Sequence, residues 1–431
     1  MKRVVSILFL CLALSSSAMS QTSPAAASLR QETFDIVWRT VKEKHYDPKF
    51  NGVDWDKVRT LYEPRVAELK SDQELYSLLQ QMIGELGQSH FNIIPREAIV
   101  EDETEKSSSE APSAGIIGVD VDYLDNLALI TRVEAGSPAA RAGLRPGFAV
   151  KQIDQTPVEQ IIERFSKSKR SPEMTRLLIS RSLLARLGGK PRTAVRVTYL
   201  DERDQAREVS VERVTIRGEM SEPFGNFPAQ FTEFEAKRLE NGMGYIRFNI
   251  FVISLMDRVR SAIRSMADAP GIIIDLRGNP GGLGAMANGI AGLLETKQTS
   301  LGTMQLRRGY VNFVINPQPD PYKGPVAILI DNGSASTSEI FAGGMQELGR
   351  AVVVGERSAG AALPSFFLKL PTGALFQYAV GDFKTPKGTL IEGRGVTPDI
   401  EVKLNRRELL RGHDSQLDRA VEQIQKAVKK G

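Results

Sequence analysis

Val326-Ala327-Ile328-Leu329-Ile330 is a short apolar run, and Asp331-Asn332-Gly333-Ser334-Ala335-Ser336-Thr337-Ser338-Glu339 follows it directly. The run reads as a buried strand. After the polar turn, Ile340, Phe341, Met345 and Leu348 recur at helical spacing. Ser336 and Glu339 stand at the Ser-x-x-Glu distance of a capping box, which makes Ser336 a candidate N-cap. A hydroxyl there lies near unpaired backbone N–H groups and the positive end of the helix dipole. That is also the environment an acyl-transfer serine needs, because an oxyanion develops beside it. From this stretch alone a plain cap is the commoner outcome.

Strand–loop–helix units repeat on either side. Gly244 to Phe248 and Gly271 to Leu276 read as strands, and Ala351 to Gly355 as another. Arg277-Gly278-Asn279-Pro280-Gly281-Gly282-Leu283-Gly284 is a glycine-rich loop before a helix expected from Ala285, and Ser415 to Lys429 reads as an amphipathic, charged helix. The pattern predicts an α/β layered core over 216–431. The loop lacks the Gly-Lys-Ser/Thr ending of a phosphate loop, which argues against nucleotide binding. It suits close backbone approach to a ligand, and it suits a plain turn equally well.

Upstream, 114–215 has β periodicity, interrupted by a helical stretch at about 158–187. The linker 101–113 is acidic and serine-rich. Residues 25–100 read as helical, with a capping box at Ser71-Asp72-Gln73-Glu74 and Gly87 as a C-cap. His90 follows that cap and is one of only three histidines. A lone loop histidine is more often surface decoration than a catalytic group.

Residues 1–20 combine Lys2-Arg3, an apolar run from Val4 to Leu14 and the small-x-small site Ala18-Met19-Ser20. They read as a secretory signal peptide, so the expected location is periplasmic or secreted. The apolar run is too short to span a membrane, and no later stretch is long enough either. The single cysteine, Cys11, lies inside the run, which leaves the mature chain without a disulfide or thiolate chemistry. Loss of Lys2 and Arg3 takes the formal charge from +4 to +2, and no dense basic run suggests nucleic acid.

The stretch Gly136-Ser137-Pro138-Ala139-Ala140-Arg141-Ala142-Gly143-Leu144, followed by Pro146-Gly147, resembles a PDZ domain. That resemblance implies a peptide site whose carboxylate loop is Gly115-Ile116-Ile117-Gly118. Asp275 to Gly282, Gly333 to Ile340 and Gly395-Val396-Thr397-Pro398-Asp399-Ile400 together resemble the C-terminal processing (tail-specific) serine peptidases. The implied fold is multidomain α+β, with an N-terminal helical region, a β-rich PDZ domain and an α/β, ClpP/crotonase-like peptidase core. The implied nucleophile is Ser336. The best-known branch pairs that serine with a lysine, but Ala361 stands where the lysine would be and Ser365 at the companion glutamine position. The tricorn-like branch instead takes a histidine from the helical region and a glutamate before the Gly-Val-x-Pro-Asp motif. Ser89-His90 and Glu392 match those positions.

The resemblance thus implies His90 as base, Glu392 acting with Ser89 to orient it, and Gly281 or Gly282 with Thr337 as oxyanion donors. The expected substrates are peptides or unfolded protein tails, with no metal or cofactor, and a homo-oligomer is compatible. The alternative is a non-catalytic protein of the same fold that binds peptides or hydrophobic ligands.

Overall fold

A computed structural model describes residues 24–96, 115–166, 171–215, 219–225, 227 and 229–429. The signal segment and the acidic linker of the sequence reading lie outside the described residues. Among the described residues no helix is long and apolar enough to cross a membrane.

Helices α1 (Pro24–Lys44), α2 (Trp55–Tyr62) and α3 (Asp72–Gly84) pack around Phe34, Val37, Trp55, Leu79 and Met82. Asp54 caps α2 by accepting from the Lys57 N–H, and Ser71 caps α3 by accepting from the Glu74 N–H. The region is not wholly helical as expected: Asn92–Ile94 forms a strand, β1. Phe91 and Ile93 are buried in the same core as Phe376 and Ala379, and that shared burial holds the segment extended.

The next unit runs β2 (Gly115–Ile116), β3 (Val119–Leu124), β4 (Leu127–Val133), α4 (Pro138–Arg141), β5 (Ala149–Ile153), β6 (Thr156–Pro157), α5 (Val158–Ser166), α6 (Pro172–Leu187), β7 (Ala194–Leu200), β8 (Ala206–Glu212) and β9 (Val214–Thr215). Its antiparallel sheet has the order β3-β4-β5-β7-β8, with β6 beside β5. Asp125 and Asn126, both at positive φ, close the β3–β4 hairpin. Helix α6 lies along β3: the Ser180 hydroxyl accepts from the Tyr123 N–H at 3.2 Å and donates to Asp122 at 2.8 Å.

The remainder contains β10 (Glu219–Met220), β11 (Phe231–Thr232), β12 (Phe234–Arg238), β13 (Gly244–Phe248), α7 (Met256–Ser265), β14 (Ile272–Asp275), α8 (Gly284–Gly292), β15 (Thr299–Leu306), β16 (Tyr310–Ile315), β17 (Val326–Ile330) and α9 (Thr337–Glu347). After these come β18 (Val352–Gly355), β19 (Ser365–Lys369), β20 (Leu375–Ala379), β21 (Gly381–Lys384), β22 (Ile400–Glu401), α10 (Arg406–Leu410) and α11 (Ser415–Val428). The central sheet is β12-β13-β14-β17-β18-β22, parallel from β13 onward. Its strands are apolar on both faces because both are covered. Ile274 and Ile328 face α7, α8 and α9 through Val259, Ile290 and Phe341, whereas Ile273 and Leu329 face α11 through Ala420 and Ile424.

Two partly buried arginines tie the β-rich unit to this core. Arg247 of β13 bonds Asp120 at 2.8 Å and Asp275 at 3.3 Å. Arg176 of α6 lies between Asp122 and Glu356.

Candidate active site

The turn from β17 to α9 distinguishes its three serines. The Ser334 hydroxyl is buried and donates to the Leu276 carbonyl at 2.7 Å. The Ser338 hydroxyl is buried and donates to the Asn279 carbonyl at 2.9 Å. Both fasten the turn to the glycine-rich loop after β14. Ser336 alone is only half-buried, and its backbone has φ 53° and ψ −119°. A side-chain-bearing residue is strained there, and such strain persists only where the surroundings impose it.

The imposing group is Glu339. Its buried carboxylate accepts from the Ser336 N–H at 3.0 Å, the Ser358 hydroxyl at 2.6 Å, and the N–H groups of Gly360 at 2.7 Å and Ala361 at 2.9 Å. Burial pushes its carboxyl up to about 7, against the pull of those donors. Glu339 therefore holds the serine turn and the 358–361 loop together, and the Ser336 N–H also donates to the Ala361 carbonyl at 2.8 Å. Ser336 and Glu339 form a capping box, in which the Glu339 N–H also donates to the Ser336 carbonyl at 2.9 Å. Sequence reading placed Glu339 as a cap. The Ser-x-x-Glu spacing was the only signal of its larger part.

Two sites on the glycine loop meet this turn. A Cβ on Gly281, at φ 100°, would lie 2.7 Å from the Ser336 Cβ, the Thr337 nitrogen and the Ala335 oxygen, so only glycine fits. The Gly281 N–H, however, donates to Asn279 Oδ1 at 2.9 Å. Of the two glycines expected to bind an oxyanion, Gly281 has its donor occupied and supplies close approach instead. The N–H groups of Gly282 and Thr337 donate to no acceptor among the described residues, and the Thr337 hydroxyl is tied to the Gly282 carbonyl at 2.7 Å.

The imidazole and carboxylate come from opposite ends of the chain. The Ser89 hydroxyl donates to Glu392 Oε2 at 2.9 Å and meets His90 Nδ1 at 2.7 Å. The Ser89 N–H donates to Glu392 Oε1 at 2.8 Å, and the Ala362 N–H to Oε2 at 3.0 Å. Because Ser89 gives its proton to the carboxylate, it accepts one from Nδ1. That fixes the tautomer in which Nε2 carries the lone pair. Burial raises the Glu392 carboxyl, opposed by its N–H donors. His90 sits at φ 59°, and its pKa is pushed down to about 4, first by burial and then by the positive charge of Arg181. His45, in contrast, is a core histidine, bonded at one nitrogen to the Asp47 carbonyl and at the other to Gln88.

Helix α6 was read only as an insert, yet it lines the site. Leu177 and Met174 pack against Ala335, Ala359 and Ala361, and Arg181 follows one turn after Leu177. Toward the C-terminal end of α6, Ile116, Ile117, Gly118, Leu184 and Leu187 help to line a cavity of about 230 Å³. The N–H groups of Ile117 and Gly118 donate to no acceptor among the described residues. Asp120, Glu134 and Glu233 also line the cavity, with Arg132.

The fold and this serine turn define a serine-type peptidase. Residues 242–402 match peptidase family S41, and residues 28–84 match the tricorn protease C1 domain. These matches liken the chain to the C-terminal processing serine peptidases. It is 26% identical over 385 residues to the carboxyl-terminal-processing protease of Synechocystis sp., covering 88% of this chain and 83% of the relative. It is 24% identical to the chloroplastic carboxyl-terminal-processing peptidase 3 of Arabidopsis thaliana, over 86% and 68% of the two chains. Among solved structures, the fold matches the photosystem II D1 C-terminal processing protease at 20% identity and TM-score 0.57, over 90% of this chain and 98% of that one. Mature CPAF complexed with lactacystin matches at 14% identity and TM-score 0.64, over 94% and 99%. The tricorn protease matches at 17% identity and TM-score 0.52, over 94% of this chain and 37% of that one.

Proposed function

We propose that the chain is an exported endopeptidase that hydrolyses peptides or unfolded protein tails, with Ser336 as nucleophile and His90 as base. The observation that carries this reading is the hydrogen-bonded relay Glu392–Ser89–His90, anchored through Ala362 to the loop whose Ala361 carbonyl holds the Ser336 N–H. Nε2 of the neutral imidazole takes the Ser336 proton as the hydroxyl attacks the scissile carbonyl. The carbonyl oxygen becomes an oxyanion between the N–H groups of Gly282 and Thr337. Collapse of the tetrahedral intermediate breaks the C–N bond, and His90 returns the proton to the leaving amine. Water then repeats the sequence on the acyl-enzyme. Glu392 stabilises the imidazolium through Ser89 without becoming protonated itself.

The PDZ-like reading of 114–215 belongs to the same proposal. The cavity beside Gly115 to Gly118 has two free N–H groups on its loop and apolar side chains of α6 opposite, as capture of a peptide end requires. Since α6 also packs on Ala335, Ala359 and Ala361, a ligand that moves α6 alters access to Ser336.

The test is intact-protein mass spectrometry after treatment with a fluorophosphonate, with the adduct mapped. A single adduct on Ser336, absent in Ser336→Ala together with cleavage of unfolded protein, is the expected result. Equal cleavage by both proteins ends the reading, and no adduct under any condition favours the binding role.

A further inference from the structure

We infer that β19 is the docking strand for the substrate: an extended, unfolded segment pairs with its free edge and is thereby delivered to Ser336. The inference rests on Ser336 being the nucleophile.

Among the described residues, sheet β1-β20-β19 leaves β19 with a neighbour on one side only. The phase of its ladder is fixed at both ends, by the Val380 N–H donating to the Pro364 carbonyl and the Leu370 N–H donating to the Ala374 carbonyl, each at 2.8 Å. The register between these points is unbroken, from Ser365 opposite Ala379 to Lys369 opposite Leu375. In an antiparallel ladder alternate residues turn both backbone polar groups toward the neighbour. Phe366 and Leu368 therefore face β20, while Ser365, Phe367 and Lys369 present N–H and C=O outward. No described residue bonds those outward groups.

The edge begins at the reacting groups. Ala361 and Ala362, which hold the Ser336 N–H and Glu392, lie just before Ser365 in the chain. On the far side of the sheet, Asn92 pairs with Gln377, which pairs with Phe367. Strands β1 and β19 run parallel, and His90 lies just before the start of β1, as Ala361 and Ala362 lie before the start of β19. A chain paired along β19 thus runs off that end beside the serine and the imidazole. Five residues of strand at about 3.3 Å each span roughly 16 Å, enough to fix several substrate residues on one side of the scissile bond.

The side chains suggest what is selected. Phe366 is 54% exposed, and Phe367 on the opposite face meets Phe227 edge-on at 6.2 Å. Phe224, in the same short hairpin as Phe227, is 56% exposed. An exposed edge carrying aromatics is an aggregation hazard unless it is used. Only a segment free of its own secondary structure can add to the edge, and apolar residues at alternate positions would meet Phe366 on one face and Phe367 with Phe227 on the other.

The experiment measures kcat/KM of the wild-type enzyme on a set of decapeptides that differ only in the position of one backbone N-methyl group. The expected result is a loss of about tenfold at every second position on one side of the scissile bond, with little effect between. A flat profile, or losses confined to the two residues flanking the bond, overturns the inference. Phe367→Pro removes an outward N–H and leaves the β20 ladder intact, so it should fold with an unchanged cooperative melt and cleave β-casein more slowly. Unchanged casein cleavage overturns the inference, as does concentration-dependent self-association that Phe367→Pro abolishes, which would make a second copy the occupant. Failure of the fluorophosphonate to label Ser336 in the wild-type protein would instead remove the underlying reading.

Discussion

Replacing Arg181 by glutamine should raise the pKa of His90 and move the acid limb of the activity profile with it. In the structure the imidazole falls from its ordinary 6.5 to about 4. Burial is the larger cause and the Arg181 charge the second, and Arg181 pairs with no carboxylate among the described residues. Removing the charge therefore returns less than half of the drop, a rise of up to about 1 pH unit. The full displacement is worth about 3 kcal/mol between the charge states, and the partial solvent contact of the ring trims its share of stability to about 1–2 kcal/mol. The sign follows from proton counts. Between about 4 and 6.5 the unfolded chain binds a proton at this histidine that the folded chain does not. This contribution is therefore complete above 6.5 and is lost as pH falls toward 4. With three histidines in the sequence, a ¹H–¹³C titration of the Cε1 groups resolves each ring, and His90→Gln assigns the signal. The acid limb of kcat/KM on a peptide substrate supplies the second readout. A His90 midpoint that stays put or drops in Arg181→Gln refutes the electrostatic assignment. A shifted midpoint with an unmoved acid limb refutes His90 as the base.

Glu339→Gln should destabilise the protein by about 2–4 kcal/mol in urea melts and lower kcat, because one amide oxygen replaces a carboxylate that accepts four bonds and its NH2 then faces N–H donors. The wild-type carboxyl, raised to about 7, makes its contribution below pH 4.5 and loses it as pH climbs to 7, so the pH slope of stability in this window should flatten in the variant. Gly281→Ala puts a Cβ 2.7 Å from backbone and from Ser336, and phosphonate labelling should slow by about a hundredfold or more while the chain still melts cooperatively. Labelling at the wild-type rate would show that the glycine loop is not held against the serine. Ser89→Ala cuts the link from Glu392 to Nδ1, and kcat should fall about ten- to a hundredfold with KM nearly unchanged. A purely structural serine would lower thermal stability without that split.

The core strands were legible because they are buried on both faces. Ile272 to Asp275, Val326 to Ile330 and Val352 to Gly355 are near-continuous apolar runs, and the structure pairs all three in parallel. The Ser71 cap was legible for a similarly local reason: it bonds the amide three residues on. Long-range partners were not. Nothing within the Ser334-Ala335-Ser336-Thr337-Ser338 run shows which hydroxyls will be consumed; that depends on Leu276 and Asn279, whose carbonyls accept from Ser334 and Ser338. The glycine loop was legible, but which of Gly281 and Gly282 has its N–H occupied turned on Asn279 Oδ1, a side chain from the loop itself.

The strands that frame the site left the weakest trace. Ser365-Phe366-Phe367-Leu368-Lys369 has no clean alternation because one side of its sheet meets helices and the other is partly open. The burial of Ile93 against Phe376 becomes visible only once the two ends of the chain are together. Yet this small sheet is what brings Ser89 to Glu392, across 303 residues of chain. Loop closure of that length costs only about 4 kcal/mol more than closure of a short turn, since the penalty grows with the logarithm of length. The buried packing of Phe34, Leu79, Phe91, Ile93 and Phe376 exceeds that cost several-fold at roughly 25 cal/mol per Å². The relay is therefore held in place by an apolar core beside it, and weakening that core should release His90 before it unfolds the central sheet.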